Sequence, residues 1–130
     1  MKKLVPILPS KNIPESLEFY QRVYGFDSAW AWTKSGQQVT DFSSVNHNDI
    51  VYGGCSKPLI IHFWFSNEKH VLESAGFRIE VEDINAMYAT CKAANCVHPN
   101  APLEVKPWGL TEFGTLDPSG VIVTIFQNAD

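Results

Sequence analysis

Residues 12–25 read Asn-Ile-Pro-Glu-Ser-Leu-Glu-Phe-Tyr-Gln-Arg-Val-Tyr-Gly, and this stretch decides the fold. Asn12 carries the side chain of a helix N-cap, and Glu15 stands three positions later, in the place of a capping-box acid. Ile13, Leu17, Tyr20 and Tyr24 recur at helical spacing, with Phe19 and Val23 widening the stripe. Gly25 is a natural stop. The same plan returns further along. Asp83 caps a second helix, Ile84, Met87, Tyr88 and Cys91 fall at i, i+3, i+4 and i+7, and Asn95 ends it. The two caps are 71 residues apart and the two stops 70.

Strands flank each helix. Residues 4–9 read as a strand, and Pro6 and Pro9 deny it two ladder donors, so it belongs at an edge. Residues 26–33 alternate as a strand, 34–36 turn, and 37–43 return as another. Residues 46–49 make a polar turn, and Gly53-Gly54 reads as a further break. Residues 59–65, dense in β-branched and aromatic side chains, give the strongest strand signal. After the repeat begins, 77–82 is a strand, 102–106 a weak one, and 110–116 and 121–126 form a hairpin. Asp117-Pro118-Ser119-Gly120 joins that pair, with Pro and Gly where a type I turn prefers them. Each half thus reads β-α-β-β-β, an internal repeat of one supersecondary unit. The expected fold is α+β: two βαβββ modules, about 1–66 and 75–130, forming a cupped mixed sheet in one domain spanning 1–130.

Composition bounds the function. At 130 residues the chain can bury about two-thirds of its unfolded surface and needs no staple. Cys55, Cys91 and Cys96 are an odd set outside any C-x-x-C motif, as expected of reduced thiols in a cytoplasmic protein. A net charge of -4 argues against a nucleic-acid footprint, which wants a basic face. No apolar run reaches the ~18 residues of a membrane span. The apolar stretch behind Lys2-Lys3 is also too short for a signal peptide. Residues 1–66 hold six basic and five acidic side chains, whereas 67–130 hold four and nine, so the acidity lies in the second half. Aromatic residues reach 12%, with four Trp among them, and that excess needs a role.

Strand parity assigns one. In 59–65, Leu59, Ile61, Phe63 and Phe65 share a fully apolar face suited to a helix. Ile60, His62 and Trp64 share the other. Trp30 and Trp32 lie on one face of 26–33, and Thr124 lies on the mixed face of 121–126. The uncovered side of the sheet is therefore expected to carry Trp30, Trp32, His62, Trp64 and Thr124. Several Trp on mixed faces point to a stacking surface rather than to core alone.

The chain resembles the bleomycin-resistance proteins of the vicinal-oxygen-chelate superfamily, which also contains glyoxalase I. Val5-Pro6-Ile7-Leu8 is like the family's opening strand. Leu17-Glu18-Phe19-Tyr20 through Gly25-Phe26 is similar to its first helix and the Gly-Phe that follows. Val81-Glu82-Asp83-Ile84-Asn85-Ala86-Met87-Tyr88 is similar to its second helix entry. The most specific segment is Pro107-Trp108-Gly109-Leu110-Thr111-Glu112-Phe113, leading to Asp117-Pro118-Ser119-Gly120.

The resemblance implies a dimer that binds cationic glycopeptide drugs unaltered, in crevices built by both chains. It implies an opening strand that crosses to the partner, with Pro6 as hinge. It places Trp108 as a stacking residue and Trp30 as the aromatic that completes the sandwich. A second aromatic expected near Ser35 is absent, and Asp27 supplies less acidity than the family carries there.

The ligand-binding set expected from residues and resemblance together is Trp30, Trp32, His62, Trp64, Trp108 and Glu112, with no metal and no cofactor. Two other readings stand beside it. Metal-dependent relatives, lyases, transferases or dioxygenases, place ligands on three strands. Here His62 fills one such position, the first strand offers none, and Thr124 stands where a Glu would fall. A catalytic divalent ion needs about three protein ligands. A cofactor-free acid–base pair of His62 with Glu112 is the catalytic variant of that reading. The third reading is a module whose uncovered face meets a peptide.

Overall fold

The computed structural model describes residues 1–128. They divide into two compact units, Met1–Leu72 and a second from Glu73 onward. The first holds β1 (Ile7–Ser10), α1 (Ile13–Arg22), β2 (Ser28–Thr33), β3 (Gln38–Val39), β4 (Ile50–Ser56) and β5 (Ile61–Phe65). The second holds β6 (Gly76–Glu80), α3 (Ile84–Ala93), β7 (Glu104–Val105), β8 (Leu110–Leu116) and β9 (Ile122–Asn128). A short helix, α2 (Lys69–Ser74), stands at the junction.

Both units have one topology. The first sheet runs β1-β5-β4-β2-β3 and the second β6-β9-β8-β7. In each, the strand before the helix pairs in parallel with the last strand, and the remaining neighbours are antiparallel. Removing the two-residue β3 leaves the two orders superimposable, so the repeat expected from the caps is a repeat of the whole unit. β1 lies at an edge, as Pro9 within it requires.

The caps form as their sequence dictates. Asn12 Oδ1 accepts from the Glu15 amide, and Asp83 Oδ1 from the Ala86 amide. α1 buries Ile13, Leu17, Phe19 and Tyr20. Tyr20 meets Phe63 of β5 edge-on at 4.9 Å. In the second unit Tyr88 of α3 meets Phe113 of β8 at the same distance. The apolar faces of both sheets therefore pack on helices, with Phe63, Phe113, Val123 and Ile125 fully buried.

Four expectations need correction. Gly53-Gly54 is no break but the middle of β4, because both glycines serve close packing inside the strand. The strand expected over 37–43 shrinks to Gln38–Val39, since 40–46 lacks an apolar face to bury. The first strand begins after Pro6, not at Leu4. α2 falls where no helix is expected; at six residues it is too short to show a periodic stripe.

Candidate functional site

Cross-strand register assembles a surface on the first sheet, on the face away from α1. One row runs Pro9, Trp64, Tyr52, Trp32 across β1, β5, β4 and β2. The next runs Ile7, His62, Gly54, Trp30. Directly opposed residues point to one face, so Trp30, Trp32, Tyr52, His62 and Trp64 share it. Trp32 and Trp64 each keep 39% of their surface exposed. The face is therefore aromatic and open at once.

Gly54 makes room in this surface. A Cβ at that position would lie 2.5 Å from Trp30 Cζ2, so the indole can lie over the strand only where the side chain is missing. So placed, Trp30 is near-parallel to Tyr52, with centroids 6.3 Å apart and 28° between planes. Its ring stands edge-on to His62 at 5.1 Å. The Tyr52 hydroxyl is 2.8 Å from His62 Nδ1. Burial, and then the Lys3 charge, hold the imidazole below its ordinary range, which favours its neutral form.

A second constellation forms on the face of the other sheet turned away from α3. Lys106-Pro107-Trp108-Gly109 is the turn between β7 and β8: the Lys106 carbonyl accepts from the Gly109 amide, and Gly109 has φ +86°. A glycine there allows the left-handed residue that closes such a hairpin. The turn lifts Trp108 into solvent, 63% exposed. Its indole N–H nevertheless donates to Glu112 Oε1 at 3.0 Å. Arg78 Nη2 donates to the same oxygen at 3.1 Å. The Arg78 guanidinium also lies 4.8 Å from the centre of the Phe126 ring.

Lys106 pairs with Glu104 and sits 5.9 Å from the Trp108 ring centre. Burial alone would raise the Glu112 carboxyl. The bonds from Arg78 and Trp108 and the charges of Arg78 and Lys106 outweigh it and hold the group below its usual range. Beside Glu112 lies a cavity of about 250 Å³, with His98, Asn100, Lys106, Ile122 and Thr124 in its walls.

The sequence-derived residues thus fall into two groups. Trp30, Trp32, His62 and Trp64 share a face of the first unit; Trp108 and Glu112 share a hydrogen bond in the second. Two contributors were missed. Tyr52 was hidden by reading Gly53-Gly54 as a break, although its parity with Gly54 and His62 was available once 50–56 is a strand. Arg78 pairs with Glu112 across 34 residues, and no local signal announces such a pair.

The donor set does not fit a divalent metal. Among the described residues no three of His, Cys, Asp and Glu converge, and His62 Nδ1 is engaged by Tyr52. The three thiols are buried. Burial pushes Cys55 up to about 12. Hydrogen bonding with Cys96, then burial, pushes Cys91 up as well. Such thiols are poor nucleophiles. No helix among the described residues is long and apolar enough to cross a membrane.

The family model of the Glyoxalase/Bleomycin resistance protein/Dioxygenase superfamily matches residues 4–125. The chain belongs to this superfamily. It is 25% identical to the bleomycin resistance proteins of Geobacillus stearothermophilus and Staphylococcus aureus, over 98% of this chain and 97% of theirs. Among solved structures it is similar to the bleomycin resistance determinant encoded on the transposon Tn5, with TM-score 0.69 and 18% identity over 98% of both chains. It is also similar to the bleomycin-binding protein of Streptomyces verticillus complexed with copper(II)-bleomycin. That match has TM-score 0.65 and 19% identity, covering 96% of this chain and 94% of the other. These structures carry the fold: paired βαβββ units with two mixed sheets.

Proposed function

We propose that this protein binds and sequesters a flat, cationic or otherwise aromatic compound of the bleomycin type, without altering it. The observation that carries the reading is the open aromatic face of the first sheet, where Trp32, Tyr52 and Trp64 form one row beside Trp30 and His62. A soluble chain does not leave three tryptophans at one surface without cost, and such a surface suits stacking. Trp108, held by its N–H and 63% exposed, supplies a stacking plane in the second unit. The curated relatives named as bleomycin resistance proteins support the same ligand class. Stacking gives ~0.5–1.5 kcal/mol per aromatic pair, and micromolar affinity needs ~8 kcal/mol, so several rings must act together.

The protein acts as a cytoplasmic homodimer, with Pro6 as the hinge of the opening segment. Support comes from residues 1–6, which enter no strand, and from Met1 and Leu4, which have almost no cover. Light scattering at several concentrations tests the dimer. Intrinsic Trp fluorescence titrated with bleomycin, and separately with acridine orange, tests the binding. A saturable change that weakens in Trp108→Ala is expected. No response to either compound overturns the reading.

A further inference from the structure

His62 brings to the open face a ring whose two nitrogens are in different states. Nδ1 lies 2.8 Å from the Tyr52 hydroxyl, and neither group has another hydrogen-bond partner within the described residues. A phenol is the better donor and an imidazole nitrogen the better acceptor. Tyr52 O–H therefore donates to Nδ1, and the ring proton resides on Nε2. Among the described residues no buried side-chain nitrogen or oxygen lacks a partner. Nε2 has none among the described residues, so it is not fully buried. Trp30 at 81° and Tyr52 at 80° to the imidazole plane fix the ring edge-on between them.

We infer that His62 Nε2–H is a hydrogen-bond donor held in place by Tyr52, and that the face accepts a flat aromatic ligand bearing a carbonyl or amide oxygen. The inference rests on the binding role proposed above and gives that site its polar specificity. His62 and Trp64 are two residues apart on β5, about 7 Å along the strand. A ring stacked on the Trp64–Tyr52 row can therefore place an oxygen one substituent away at Nε2. Tyr52 is a positioning residue: it touches the histidine and sets which nitrogen donates. Ile7 and Gly54, on either side of His62, carry no side-chain donor; the indole N–H of Trp30 stands beyond Gly54 in the same row, and His62→Leu separates the two.

The test pairs naphthalene-2-carboxamide with naphthalene, read by quenching of Trp fluorescence on the whole protein. The amide is expected to bind roughly three- to tenfold more tightly, the range one hydrogen bond supplies. Tyr52→Phe keeps the ring and removes the hydroxyl. It should shrink the preference below about twofold, and nitrogen NMR should show His62 Nδ1 losing the shift of a hydrogen-bonded acceptor, a change that mere loss of packing does not produce. His62→Gln, which keeps an N–H there, should retain the preference, whereas His62→Leu should abolish it. Equal binding of both probes to the unaltered protein, or a preference that survives His62→Leu, overturns the donor role while leaving aromatic binding intact. A wild-type His62 protonated on Nδ1 overturns it without any ligand. Binding of neither probe defeats the aromatic reading itself, and this inference with it.

Discussion

The indole of Trp30 lies over the backbone of Gly54, with Cζ2 only 2.5 Å from where a Cβ would stand. The glycine is thus a seat for a ring, in a strand that would otherwise favour a β-branched residue. Gly54→Ala must push the indole off the sheet and separate it from Tyr52 and His62. Overpacking of this kind costs about 1–3 kcal/mol. Urea unfolding should show that loss, and the near-UV circular dichroism of the Trp region should change with it.

Trp64 and Trp32 are expected to matter more for binding than for folding. Each is substantially exposed, so truncation to Ala should cost about 1 kcal/mol of stability or less. Each should weaken bleomycin about three- to tenfold, the worth of one stacked pair. A variant with full affinity would remove that residue from the binding face.

Glu112 links stability to pH. Its folded carboxyl titrates below the unfolded one, so the unfolded chain takes up this proton first as the medium becomes acidic. The contribution is complete above the ordinary Glu value, near ~4.3, and disappears as pH falls through the lower folded value. Arg78 is partly exposed, so the charged part of the pair is worth about 1 kcal/mol. Glu112→Gln should lower the urea midpoint at pH 7, and the gap from the unaltered protein should close toward pH 3. A gap independent of pH would mean that the carboxylate's charge is not what the site uses.

Asp117 is buried in the β8–β9 turn, and its Oδ1 accepts from the amides of Ser119 and Val121 at 2.8 and 3.0 Å. Asp117→Ala leaves both donors without their acceptor and should cost about 1–3 kcal/mol by denaturant titration. Asp117→Asn keeps an acceptor oxygen and should recover much of that loss.

The architecture was legible because its signals are local. Asn12 and Asp83 announce their helices by type and position, and both caps form. The parity of His62 and Trp64 against Ile61 and Phe63 follows from a period of two that any strand must obey. What escaped depends on tertiary contact. Gly53 and Gly54 carry turn-forming composition, yet here α1 and Trp30 fill the space their side chains would occupy. Losing β4 also lost Tyr52, and with it the partner that defines the state of His62. Arg78 meets Glu112 only because β6 and β8 both flank β9.

Glu112 arrives with its counter-ion already in place. A cation approaching this carboxylate finds Arg78 there first, so capture becomes an exchange: one positive group must leave for another to enter, and the net electrostatic gain is small. Discrimination at this carboxylate then falls to contour and to the ring of Trp108, and two ligands that differ only in charge would be hard for it to tell apart.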